Sequence, residues 1–213
     1  MAKWIEGSGC HRQRSKPSAM QIHPMPDPQR ILSLRNRQRV RRVDMRLLRR
    51  IVSALLRKTR PHGNFDLAIY VVAEPEMTGL NETYLRHKGS TDVITFDYAE
   101  EAGLASGLPG AGSSAMGSKD GQDTCPPHLH GEIFVCMDEA VTQARRFHTT
   151  WQNELVRYVV HGVLHLLGYD DLDHRLRRKM KEAEDALVHQ LAGQFDFSGL
   201  GAKAILKELQ SDE

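Results

Sequence analysis

Residues 159–174 read V-V-H-G-V-L-H-L-L-G-Y-D-D-L-D-H. His161 and His165 stand four apart in an apolar run that must be helical. At that spacing both imidazoles leave one face of the helix, a turn apart, so both can reach a single ion. Gly168 follows, a residue that turns out of a helix without steric penalty. Behind it, Tyr169, Asp170, Asp171, Asp173 and His174 supply oxygen and nitrogen donors that can fold back toward the same point. Two ligands on a helix, a glycine turn and a third ligand make the layout of a catalytic zinc site that keeps one position open.

Outward from this stretch the chain alternates strand and helix. The metal-bearing helix runs over about 151–167, capped by one of Thr149 and Thr150. A second helix over 175–191 carries Leu176, Met180, Ala183, Leu187 and Leu191 on one face. Upstream, Asp138 reads as the cap of a helix to Phe147, behind a strand over 131–137. Residues 91–98 and 65–73 are β-prone, and between them Pro75 opens a short helix through Leu80 and Tyr84. Asp44 caps an amphipathic helix over 45–58, and residues 31–40 form an edge strand with a cationic outer face. The expected fold is α+β, a small mixed four-stranded sheet covered by helices, with the metal-bearing helix at its centre.

Three segments fall outside that pattern. Residues 1–29 read as a disordered tail, and 101–129, rich in Gly, Ser and Pro, as a flexible insertion within a domain spanning 30–192. Residues 193–213 read as a loose tail with a weak terminal helix. The chain has 213 residues and nets +2, yet between Arg30 and Arg60 twelve Lys or Arg stand against one acid, Asp44. A one-signed block of that size points to an anionic polymer, nucleic acid first. The three cysteines lack metal-ligand spacing and no signal-peptide core is visible, which together suggest a reducing cytoplasm. No apolar run approaches the roughly 20 residues that span a bilayer.

The segment His161-Gly-Val-Leu-His165-Leu-Leu-Gly168-Tyr-Asp170 resembles the signature of the YbeY family, bacterial endoribonucleases of rRNA maturation. Leu80-Asn81 with Thr91-Asp92-Val93-Ile94-Thr95-Phe96, and Gly131-Glu132-Ile133-Phe134-Val135, are similar to two further family segments in the same order. The resemblance implies one zinc ion per chain held by three side chains, and cleavage of single-stranded RNA. It further implies a part in 16S rRNA 3′-end maturation and ribosome quality control on the small subunit. The family's third ligand is usually a histidine ten residues after the first; here that position holds Asp171, an acceptable zinc donor. His174 is the alternative. Asp170 suits the role of an acceptor that orients a ligand imidazole from behind, or of a helix cap.

The family also carries an arginine after the aromatic of the loop before Thr91. Here Leu85 follows Tyr84, so the resemblance leaves Arg86, with Lys88 behind it, to offset charge on the phosphoryl oxygens. Arg35, Arg37, Arg39, Arg41, Arg42, Arg46, Arg49 and Arg50 would track the RNA backbone. Phe96, Tyr98 and Tyr169 are the aromatics available for base stacking, Phe96 fitting core packing better. Two other readings compete. HxxxHxxGxx(D/H) also resembles the metzincin metallopeptidases, but those need a carboxylate directly after the first histidine, where this chain has Gly162. The chain also suits a ribosome- or RNA-binding protein whose metal is only structural.

Overall fold

The computed structural model describes residues 30–98 and 128–201. Four strands, β1 (Arg30–Asn36), β2 (Phe65–Val72), β3 (Val93–Asp97) and β4 (Leu129–Cys136), form one sheet in the order β1-β2-β4-β3. β1, β2 and β4 are parallel; β3 runs antiparallel to β4, with Thr95 opposite Ile133. Five α-helices accompany them: α1 (Met45–Thr59), α2 (Glu74–Leu80), α3 (Met137–Arg146), α4 (Trp151–Leu166) and α5 (His174–Ala192). The fold is α+β with a mixed four-stranded sheet, as the sequence pattern predicts.

The helix starts follow from side-chain chemistry. Asp44 accepts the backbone N–H of Arg46 and Leu47 at 2.9 and 3.0 Å, and Thr150 accepts that of Asn153 at 3.2 Å. Each satisfies donors that a helix's first turn leaves without partners. Because strand side chains alternate, the sheet has two apolar faces. Leu67, Ile69, Ile133 and Val135 pack with α1 and α4 in the main core; Val72, Ile94, Phe134 and Cys136 pack with Met77 of α2 on the other side.

Gly162 sets how closely α4 approaches the sheet. A Cβ at this position would lie 2.6 Å from Ile133 Cγ2 and 3.2 Å from Thr95 Oγ1. No side chain fits there. At 100° per residue His161 and His165 then stand roughly a quarter-turn round the helix, on its flank.

Several boundaries differ from expectation. β1 stops at Asn36 rather than reaching Val40, because Asn36 Oδ1 accepts from the buried Gln38 amide at 2.8 Å and folds the chain into a turn. Asp138 does not cap α3, whose N-cap position is Cys136; its carboxylate accepts the Glu74 N–H at 2.7 Å, at the first residue of α2. α2 continues into a π-helical turn over Asn81–Leu85 that ends at Arg86, in left-handed backbone with φ 59°. On α5 the buried row is Met180, Glu184, Val188 and Leu191, while Leu176 is exposed. The expected loose tail instead forms a 3-10 turn, Phe197–Gly201, with Phe197 and Leu200 in the core and Leu200 O accepting the Asp44 N–H at 2.9 Å. The expected tail 1–29, residues 202–213 and all but the end of the expected insertion lie outside the described residues; Leu129, at that insertion's end, opens β4. Among the described residues no helix is long and apolar enough to cross a membrane.

Replacing a mid-helix glycine by alanine ordinarily stabilises by about 1 kcal/mol. For Gly162→Ala the expected sign is reversed, a net loss of about 1–3 kcal/mol from overpacking against Ile133. Urea denaturation of the two proteins measures it.

Candidate metal centre

α4 ends where its apolar run ends. Gly168 takes φ 84°, the left-handed conformation that costs glycine nothing, and the Tyr169 N–H returns to Leu164 O at 3.0 Å. The reversal brings the following segment back over the flank bearing the two histidines. His161, His165 and Asp171 each offer a donor atom there, all within 4.8 Å of one another, and each residue is half-buried.

Hydrogen bonds fix which imidazole nitrogens face the centre. His161 Nδ1 lies 2.9 Å from Glu184 Oε2, and His165 Nδ1 lies 3.1 Å from the Tyr169 carbonyl oxygen. A carboxylate and a carbonyl can only accept, so both rings carry their hydrogen on Nδ1 and leave a lone pair on Nε2. Those two Nε2 atoms stand 3.1 Å apart. Two lone pairs that close repel unless a positive species lies between them, a metal ion or a proton. Nitrogens bound tetrahedrally at the usual zinc distance would be separated by about 3.3 Å. Two imidazole nitrogens and a carboxylate oxygen are an accepted donor set for such an ion, so the residues present fit it.

Glu184, absent from the sequence-level candidates, holds the arrangement from behind. It is a buried acid on α5, and besides His161 it meets Arg157 Nη1 at 2.6 Å and Lys181 Nζ at 3.0 Å. Burial alone would push its carboxyl up; hydrogen bonds from His161, Arg157 and Lys181 overcome that and hold it down, from an ordinary 4.5 to about 2. An ionised acceptor behind a histidine fixes its tautomer and raises its basicity as a ligand.

The other predicted residues are distributed as follows. Asp170 does not serve either histidine; its Oδ1 accepts the Leu172 N–H at 3.1 Å, and Asp173 is the cap of α5. His174 is the exposed first residue of α5 and stands outside the three-donor group. Arg86 and Lys88 are exposed between the π-helical turn and β3, and among the described residues no hydrogen bond or ion pair ties them to the donors. Several of the predicted RNA-contacting arginines have work inside the fold. Arg37 pairs with Glu76 at 2.9 Å, Arg49 donates to Leu32 O at 2.7 Å, Arg41 donates to Val40 O at 3.1 Å, and Arg50 lies over the Phe195 ring. Arg35, Arg39, Arg42 and Arg46 are exposed. Phe96 packs edge-on against Phe134, the Tyr98 hydroxyl meets Glu132, and Tyr169 is exposed beside the donors.

The family model for Endoribonuclease YbeY matches residues 33–192. An Endoribonuclease YbeY of Chlorobium luteolum is 32% identical over 151 residues, covering 71% of this chain and 91% of the relative. One from Salinibacter ruber is 33% identical over 123 residues, covering 58% and 68%. The solution structure of TM1509 from Thermotoga maritima superposes with a TM-score of 0.51 at 22% identity, over 83% of this chain and 99% of that one, which supports the shared fold.

Because Glu184 is held below its ordinary pKa, its contribution to stability is complete above pH 4.5 and is lost as pH falls toward about 2. In chelator-treated protein, Glu184→Gln should remove that share, a few kcal/mol at neutral pH, and flatten the decline between those limits. Denaturant titrations at stepped pH measure both slopes.

Proposed function

The chain belongs to the YbeY endoribonuclease family, and from that premise we propose that it cuts single-stranded RNA at a centre held by His161, His165 and Asp171. The observation that carries the reading is the convergence of two Nε2 lone pairs and a carboxylate on one point. Zinc, one per chain, is the ion we assign to those donors. A divalent ion there supplies charge against a scissile phosphate and a more acidic bound water.

The chain's own groups do the positioning. Glu184 and the Tyr169 carbonyl keep both Nδ1 hydrogens turned away, so both Nε2 atoms present lone pairs inward. Asp171 reaches the point because the Gly168 turn sends the chain back along α4. Arg86 and Lys88 are assigned to the negative charge that builds on the phosphoryl oxygens, delivered from the loop before β3. Arg35, Arg39, Arg42 and Arg46 add affinity for the phosphate backbone without base specificity. On this reading residues 30–192 form the catalytic domain of a cytoplasmic enzyme. Its substrate is the 16S rRNA precursor on the small ribosomal subunit, and its role is 3′-end maturation and quality control.

The packing of Gly162 speaks against a peptidase. A carboxylate at the position after the first histidine would have to lie in the space Ile133 and Thr95 fill, on the sheet side of α4. A structural-metal protein is the remaining competitor, and substitutions at the donors separate it from an enzyme. His165→Ala should keep the fold and lower RNA cleavage by roughly a hundredfold or more. Unchanged cleavage with a much lower Tm would favour the structural role. Metal analysis of purified variants should find the ion lost in Asp171→Ala and kept in His174→Ala; the converse would make His174 the third donor.

A further inference from the structure

We propose that the cationic opening of α5 is the track along which the RNA strand enters the centre, an inference that rests on the function proposed above. Residues 174–181 read H-R-L-R-R-K-M-K, five Lys or Arg and no acid in the helix's first eight residues. Every side chain from His174 to Lys179 is exposed, and the first buried one is Met180. At 100° per residue the five cations cover the side of the helix opposite Leu176 and Met180.

Helix stability does not explain that charge. The aligned peptide dipoles already make a helix N-terminus positive, so cations in the opening turns are disfavoured there. The Asp173 carboxylate already takes the Arg175 and Leu176 N–H groups, so it is the side chains along the helix flank that suit a polyanion.

The ridge adjoins the chemistry. Only two residues separate Asp171 from His174, and Arg177 Nε donates to the Asp171 carbonyl oxygen at 3.1 Å, tying ridge to loop. On its surface His174, Arg177, Arg178 and Lys181 line, with Glu182 and Asp185, an open hollow of about 250 Å³. Tyr169 and Leu172, on the same return segment as Asp171, are 40% and 83% exposed, leaving apolar surface for bases beside a charged path for phosphates. β1, which carries Arg35, is the sheet edge opposite β3, the strand that packs beside α4.

The test is a salt series of binding to labelled single-stranded RNA by the full, metal-loaded chain. Three proteins are compared: wild type, Arg175→Gln/Lys179→Gln, and Arg42→Gln/Arg46→Gln. Among the described residues Arg175 and Lys179 make no ion pair, so their loss should leave Tm and bound metal unchanged. The α5 pair should bind about tenfold more weakly near 0.1 M salt, with a salt slope shallower by about 1.4, the effect of two lost phosphate contacts on a single strand. The β1–α1 pair should lose less. Lys179→Gln alone, expected to show about half the slope change, guards against a folding defect in the double variant. Wild-type affinity and slope in the α5 pair, or a larger loss in the β1–α1 pair, would overturn the inference and leave the proposed function standing. Failure of the wild type itself to bind or cut RNA would remove the proposed function.

Discussion

The contact between Gly162 and Ile133 is the constraint from which the centre's geometry follows. With no side chain between them, α4 lies against β3 and β4 closely enough that its large apolar residues, Leu155, Val159 and Val163, enter the same core as Ile133 and Val135. That seating fixes the helix's rotation about its own axis. One flank carries His161 and His165 at partial exposure, and the flank cannot turn inward without driving backbone into the sheet. A glycine that weakens the helix in isolation therefore defines where its two imidazoles look.

Rotation alone would leave each ring free to flip. Glu184 and the Tyr169 carbonyl remove that freedom, one from the crossing helix α5 and one from the reversal after Gly168. Burying a carboxylate on α5 is unfavourable by itself, and three hydrogen-bonding partners, His161, Arg157 and Lys181, offset it. Arg157 is itself on α4, so the network ties α4 to α5 at the level of the first imidazole. Tertiary packing and imidazole tautomer are coupled through one acid.

Legibility divided along the distance between partners in the chain. The i, i+4 histidines and the glycine turn are local, and helical periodicity is enough to bring them together; the choice of Asp171 among the donors behind the turn comes from the resemblance to the YbeY family. The Asp44 cap and a threonine cap at 149 or 150 are readable for the same reason. Glu184 sits 23 residues beyond His161, and nothing in helical spacing says at what height α5 crosses α4. Its signal was an acid inside an apolar row, Met180-Glu184-Val188, at a position where a solvated face was not available. Asp138 departs from its expected role because the donor it serves, the Glu74 N–H, lies 64 residues away in the chain. The turn at 197–201 escaped because two core residues in five give no periodicity to read.

An aspartate among the donors has an electrostatic consequence that joins the centre to its surroundings. Two neutral imidazoles leave a divalent ion's charge whole, whereas the Asp171 carboxylate cancels half of it. A phosphate approaching such a centre meets a weaker field than one approaching three imidazoles. The loop that contributes Asp171 runs directly into Arg175, Arg177, Arg178, Lys179 and Lys181. Lys181 and Arg178 are partly balanced by Asp185 and Glu182, Arg157 by Glu184 and Asp185, and Arg175 by Asp173, while among the described residues Arg177 and Lys179 make no ion pair. On the proposed function, these side chains would act on the neighbouring phosphates of a strand rather than on the one being cut. That distribution favours a polymeric substrate over a lone phosphate ester, since only a polymer can occupy donors and ridge together.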